Sequence, residues 1–291
     1  FGVMRCREFF MKDAYSFDLS EQDAVLSYNK MFYAYLKTFQ RLGLKSIPMK
    51  AETGPIGGDL SHEFIILADT GESKIYTDKK IFDVPINDYK NNPESLKKMR
   101  TDFSKFYAVT DDKFKSEEFN KHVKKEDQVQ TKGIEVGHIF YFGDKYSKPM
   151  NCSVDTKDGS KTFVKMGSYG IGVSRLVAAV IEAKYNNEKM KWPKSISPFD
   201  IVIIPSINKK DDTNLKTALN IYKELKSKNI DVLIDDVDEN MANKFKKHDL
   251  LGIPFQIIIG SKKEKEKFEF KEIDKASKML DLTNIIKTLK N

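Results

Sequence analysis

The chain has 291 residues, 40% of them hydrophobic and 32% charged, with 50 Lys and Arg against 43 Asp and Glu for a net charge of +7. This length exceeds what one hydrophobic core usually fills, so two domains with a small insertion are expected, and no apolar run nears the roughly 20 residues that cross a bilayer. A helical membrane protein is thereby excluded, the cytoplasm is the expected compartment, and the basic excess suits a polyanionic partner such as RNA.

Residues 1–12 mix apolar groups with Arg5, Arg7 and Glu8, unlike the uninterrupted apolar middle of a secretory signal. The two cysteines, Cys6 and Cys152, are far apart and lack the Cys/His spacing of structural zinc, which predicts two free thiols. Residues 9–17 alternate as a strand does. The two arginines ahead of it can fork onto phosphate oxygens while Phe9 offers a stacking face to a purine, although surface arginines beside a buried strand would read the same way.

Residues 22–42 place Val25, Tyr28, Phe32, Tyr35, Leu36 and Phe39 at three- and four-residue steps, predicting a long amphipathic helix capped by Ser20 and Asp23 and stopped at Gly43. The turn pairs Gly54-Pro55 and Gly57-Gly58 precede an apolar strand at 63–68. Strand, helix and strand predict an α/β or α+β body. From Asp69 a polar stretch runs to about Thr131, ending in the charged tract 121–127, and reads as an insertion.

Strands are expected again at 135–142 and 163–166. Glu135 and His138 stand three apart and point to opposite faces of a strand unless a bulge intervenes at Gly137. Glu135, a carboxylate beside two arginine-bearing segments, suits a nucleotide's magnesium ion. Gly167, Gly170 and Gly172 then form a small-residue turn into an apolar helix at 173–183, with Arg175 on its first turn directed back toward the glycines. Such a junction can cradle phosphates, or it can be a structural turn; no Gly-Lys-Ser/Thr follows.

Trp192-Pro193 and Ser197-Pro198 mark a linker. Beyond it, strands at 201–204, 232–234 and 255–259 alternate with helices at 212–226 and 241–251, a βαβαβ order that implies a mainly parallel or mixed sheet. The run KKEKEK at 262–267 alternates in sign and reads as a solvated face.

Together these segments resemble the class II aminoacyl-tRNA synthetases, specifically the bacterial-type prolyl-tRNA synthetases. FGVMRCREFFMKDAYSFD is similar to motif 2, AETGPIGGDLSHEF and KGIEVGHIFYFGDKYS to the blocks flanking the insertion, MGSYGIGVSRLVAA to motif 3, and SPFDIVIIPS to the opening of the anticodon-binding domain. The resemblance implies an α+β catalytic domain on an antiparallel sheet at 1–68 and 132–194, a short insertion at 69–131, and an α/β anticodon-binding domain with a mixed sheet at 197–291. It implies ATP and Mg2+, proline and tRNA(Pro) as ligands, a homodimer in the complete protein, and no membrane association.

Carried over position by position, the resemblance makes Arg175 the arginine of the γ-phosphate and Arg5 the loop arginine that reaches the ATP phosphates. Phe9 stacks on adenine, while Glu135, His138 and Gly172 line the ATP site and Glu135 faces the metal. Met11, Asp13, Tyr15, Phe140 and Ser168 are expected in the proline pocket, and Lys244 and Lys247 near the anticodon. The resemblance also implies that the chain begins inside motif 2, without motif 1 or the α-phosphate arginine, and is inactive alone. The insertion resembles the shortened one of alphaproteobacterial members, which implies no editing in cis. A catalytically silent tRNA-binding paralogue is the competing reading; the presence of Arg5, Phe9, Glu135 and Arg175 argues for an enzyme.

Overall fold

The computed structural model describes residues 2–51, 60–186, 189–208, 210–260 and 266–290. Two compact units divide the chain, Phe1–Ala183 and Lys184–Asn291. The turn cluster at 54–58 and residues 262–265 of the Lys/Glu run lie outside the described residues.

In the first unit the elements are β1 (Met11–Asp18), α1 (Glu21–Arg41), β2 (Ser46–Lys50), β3 (Leu60–Leu67), β4 (Ser73–Asp78), α2 (Pro93–Ser104), β5 (Ala108–Thr110), α3 (Ser116–His122), β6 (Gln128–Gly143), β7 (Ser153–Asp155), β8 (Lys161–Phe163), β9 (Lys165–Gly172) and α4 (Val173–Lys184). The main sheet is antiparallel in the order β1-β9-β6-β3-β2, with β4 on β6 and β5 on β4, while β7 and β8 form a separate pair.

Ser20 starts α1 as its N-cap, accepting from the backbone N–H of Asp23. The apolar stripe of this helix covers one face of the sheet. Tyr28, Phe32, Tyr35, Leu36 and Phe39 are all buried. Around Phe64 of β3 the rings of Tyr35, Phe32 and Phe39 close in with centroids at 5.2, 5.5 and 5.8 Å, tilted or edge-on as aromatic quadrupoles prefer. Each such ring contributes roughly 1.5–3 kcal/mol by leaving water. The opposite face is left to β1 residues with exposed side chains, Met11, Asp13 and Tyr15.

One expectation needs correction here. The glycines 167, 170 and 172 do not form a turn: β9 runs through all three and α4 begins at the next residue. The reason is packing across the middle of the sheet. A Cβ at Gly167 would lie 2.1 Å from the Tyr169 hydroxyl, which meets Ser16 Oγ at 2.8 Å, so glycine leaves room for that partly buried polar contact. The stretch 69–131, read as a short insertion, contributes two strands to this sheet, because β4 pairs with the first half of β6 and β5 extends it.

The second unit contains β10 (Ile201–Pro205), α5 (Thr213–Ser227), β11 (Val232–Ile234), α6 (Met241–Leu251), β12 (Phe255–Ile259), β13 (Phe268–Glu272), β14 (Lys278–Leu280) and α7 (Leu282–Lys290). Its sheet runs β11-β10-β12-β13-β14, parallel among the first three strands and antiparallel beyond, so it is mixed as expected. Alternation sends Ile201 and Ile203 to a core with Ala218, Ile221, Leu225, Ile285 and Leu289, and sends Val202 and Ile204 to the other side with Met241 and Phe245. Gly252 ends α6 in the left-handed region at φ 73, where a Cβ would also lie 2.8 Å from the Met190 carbonyl oxygen.

Candidate active site

The open face of the first sheet is built by register. Asp13 of β1 pairs with Gly170 of β9, which pairs with His138 of β6, which pairs with Glu63 of β3. The next row reads Tyr15, Ser168, Phe140 and Ser61. Directly paired residues share a face, so Asp13, Tyr15, Phe140 and Ser168 occupy the same surface, with Met11 two residues before Asp13. His138 and Phe140 stack at 3.8 Å, and Phe140 and Phe142 at 5.5 Å, giving this surface an aromatic floor.

Glu135 reaches the same face because β6 is bulged. Phe64 opposes Gly137 while the next residue, Ile65, opposes Glu135, so Val136 is the extra residue. The condition set by the sequence at Gly137 is thus met one residue earlier. Glu135 Oε1 lies 3.5 Å from His138 Nδ1, and Glu63 Oε1 lies 3.7 Å from the same nitrogen. The other ring nitrogen, Nε2, meets Ser61 Oγ at 2.6 Å.

The second oxygen of Glu135 faces the arginines. Arg5, at the end of a short 3-10 turn (Gly2–Arg5), donates to Glu135 Oε2 at 3.4 Å and to Glu72 Oε1 at 2.9 Å. Arg175, on the first turn of α4, donates to the carbonyls of Met4 at 2.8 Å and Glu135 at 2.6 Å, and lies 3.7 Å from Glu135 Oε2. The start of α4 is pinned by Ser174, whose Oγ accepts from the Phe10 N–H at 2.7 Å. Gly172 borders the same place, since a Cβ there would stand 3.3 Å from Arg175 Cβ.

The charges are strongly coupled. Burial would lift the Glu135 carboxyl, but the His138 hydrogen bond and the charges of His138, Arg175 and Arg5 together hold it below the usual range. Glu63 moves the other way, raised by burial and by the charge of Glu135. Arg175 is lowered by burial and by its neighbour Arg5. Two guanidinium groups held close together form a site that a further anion, such as a polyphosphate, would relieve.

Of the residues singled out from sequence, Arg5, Glu135, His138, Gly172 and Arg175 come together at one end of this face, and Met11, Asp13, Tyr15, Phe140 and Ser168 share it. Phe9 stands before β1 with about half its surface (52%) exposed. Glu63, Ser61 and Glu72 were missed. Ser61 and Glu63 alternate with His62 and Phe64, and that period-2 pattern was the available signal. The magnesium that the resemblance implies usually takes one or two carboxylates plus substrate phosphates, and the carboxylates of Glu135, beside both arginines, and of Glu72, beside Arg5, fit it.

In the second unit the expectation for Lys244 is corrected. Its side chain is fully buried, with Nζ donating to the carbonyls of Pro205 at 2.9 Å and Asp235 at 2.8 Å, so it braces the strand ends and does not face RNA. Lys247 is partly exposed and pairs with Asp235 at 2.9 Å and with Glu239. Among the described residues no helix is long and apolar enough to cross a membrane.

Comparison with known proteins agrees with both units. Residues 1–184 match the family described as tRNA synthetase class II core domain (G, H, P, S and T), and residues 200–291 match the one described as Anticodon binding domain. The chain is 58% identical to Proline--tRNA ligase of Pelagibacter ubique (strain HTCC1062), over 99% of this chain and 66% of that protein. It is 49% identical to Proline--tRNA ligase of Beijerinckia indica, over 90% of this chain and 60% of that protein, and 48% identical to that of a Bradyrhizobium species, over 99% and 66%. The chain therefore spans 60% to 66% of the length of these relatives. With its class II core, its anticodon-binding domain and this likeness along both, the chain belongs to the class II aminoacyl-tRNA synthetases, in the bacterial-type prolyl-tRNA synthetase family.

Proposed function

We propose that this protein activates proline with ATP and transfers it to tRNA(Pro). The observation that carries the reading is the convergence of Arg5 and Arg175 on one carboxylate oxygen of Glu135, at the end of a sheet face floored by Phe140 and His138. A carboxylate oxygen of proline attacks the α-phosphorus of ATP, pyrophosphate leaves, and the terminal ribose hydroxyl of the tRNA then displaces AMP from the carbonyl carbon. No covalent bond to the protein is needed, so rate comes from positioning and from charge stabilisation at phosphorus.

In this reading the arginines hold the polyphosphate and Phe9 covers the adenine. Met11, Asp13, Tyr15, Phe140 and Ser168 enclose the proline side chain. Magnesium, held by the nucleotide phosphates and Glu135, would neutralise charge on the leaving pyrophosphate. The second unit binds the tRNA, with Lys247 as a candidate contact. We extend the proposal to a cytoplasmic homodimer without editing in cis, as the family resemblance implies.

The test is proline-dependent ATP–pyrophosphate exchange by the full-length protein carrying Arg175→Ala. Loss of a charge-assisted contact to a reacting phosphate typically costs about 3–4 kcal/mol, so exchange should fall several hundred-fold while tRNA binding persists. Exchange above half the parent rate, in a variant with an unchanged melting temperature, would sink the assignment.

A further inference from the structure

We propose that the cleft between α1 and α2 is a binding site for a small zwitterionic amino acid, separate from the proline pocket. The cleft has a volume of about 570 Å3 and is walled by the first turns of α1 and by Pro93, Lys97 and Arg100 of α2. That volume is typical of small-ligand pockets. Phe103 of α2 packs on Phe32 of α1 with ring centroids at 5.8 Å, so both helices lie on the covered side of the sheet, away from the open face.

Two polar side chains of this cleft carry atoms without partners. Arg100 is partly buried, its Nε is shielded from solvent without a hydrogen bond, and among the described residues no carboxylate pairs with its guanidinium. The acid nearest on the same helix, Asp102, is taken by Lys98, Lys105 and Tyr89. Asn29 of α1 is only 3% exposed, and its Oδ1 has no donor. A water molecule would satisfy one such atom but not the charge, and a shielded guanidinium is costly unless it meets an anion.

The walls select the ligand. Arg100 can fork onto a carboxylate, and Lys97, one turn earlier on α2, adds a second positive charge. Asn29 Oδ1 would accept from a neighbouring N–H, and Glu21 and Asp23 in the same wall favour a cationic group there. These two acids also disfavour phosphate, which would bring more negative charge to them. Val25, Leu26 and Pro93 supply an apolar patch for a short aliphatic side chain. One carboxylate, one ammonium and a small apolar body meet all of these groups, and L-valine is the probe that combines them.

The inference is independent of the adenylation reading, and its test uses no ATP, proline or tRNA. Radiolabelled L-valine is equilibrated by dialysis with the full-length protein, with unlabelled L-valine, acetate and inorganic phosphate as competitors. One equivalent should bind, and acetate and phosphate should each compete about tenfold less effectively than L-valine, since each lacks the ammonium group. Arg100→Gln should weaken binding about tenfold or more with unchanged circular dichroism. Phe140→Ala, on the open face, should leave it unchanged. Lys97 is exposed, so Lys97→Glu spares the fold and should weaken binding about fivefold or more, which keeps the test intact should Arg100→Gln not fold. Absence of saturable binding at one equivalent overturns the proposal, as does parent-like affinity in Lys97→Glu. Loss of binding in Phe140→Ala would place the amino acid on the open face and overturn it too, and phosphate competing as well as L-valine would overturn the ligand class.

Discussion

His62 lies one residue from Ser61 and Glu63 but on the helix-covered face, and it makes the first unit sensitive to mild acid. Its Nδ1 meets the Tyr28 hydroxyl at 2.6 Å and its ring stands edge-on to Phe32 at 5.1 Å. Burial, then the charges of Arg100, Lys50, His138 and Lys113, push its pKa down to about 3. The unfolded value is about 6.5. The folded state therefore keeps the ring neutral while the unfolded state takes up a proton below that value. Stability is fully present above pH 6.5 and is lost as pH falls toward 3. Between pH 8 and pH 5 the full shift amounts to about 2 kcal/mol at 1.36 kcal/mol per unit. His62 retains some surface exposure, so we take about 1–2 kcal/mol as the expected loss. The perturbation is His62→Gln, which keeps an acceptor for Tyr28. Urea unfolding at the two pH values should be followed by tyrosine circular dichroism, because the single tryptophan, Trp192, sits in the second unit. Glu63 is shifted the opposite way in both proteins, so the difference between parent and variant isolates His62. Equal losses in the two proteins would refute the reasoning.

Phe64→Ala should destabilise the first unit by roughly 3–5 kcal/mol in the same urea experiment, since Phe64 is fully buried among Phe32, Tyr35 and Phe39. Lys244→Ala should cost the second unit at least about 2 kcal/mol by leaving two carbonyls without a donor, read from Trp192 fluorescence on denaturation. Lys247→Ala should move that midpoint little and weaken tRNA binding instead. Alanyl-tRNA(Pro) should persist with the purified full-length protein, because β4 and β5 of the insertion are spent on the catalytic sheet and a proline pocket rejects the smaller alanine only modestly; rapid deacylation would show an editing site.

The long helix α1 was legible almost to the residue, from 22–42 expected to Glu21–Arg41 observed, because its period, cap and stop are all local. Strands β10, β11 and β12 of the second unit were equally plain, being continuous apolar runs between helices. Strands β13 and β14 and helix α7 were not anticipated, since short mixed runs such as Phe268–Glu272 carry little pattern of their own. The glycine segment misled because the same residues mark a turn in isolation and a crowded central strand in a sheet. Lys244 misled because a lysine reads as a surface residue unless its backbone acceptors are seen.

By itself the sequence determined the two-unit division and the helices and strands with a strong period, and through its family resemblance it singled out Arg5, Glu135, His138 and Arg175 as candidates. Whether those residues meet was decided only by the tertiary structure. Glu135 and His138 share a face because one extra residue, Val136, bulges β6 against β3, and Ser61 and Glu63 join them because β3 pairs in that register and no other. Strand register depends on contacts between residues far apart in the chain, as between Met11 of β1 and Gly172 of β9, and a period-2 pattern looks the same when a strand slips by two residues. Only the folded sheet chooses among those alternatives, by burying one face beneath α1 and leaving the other open.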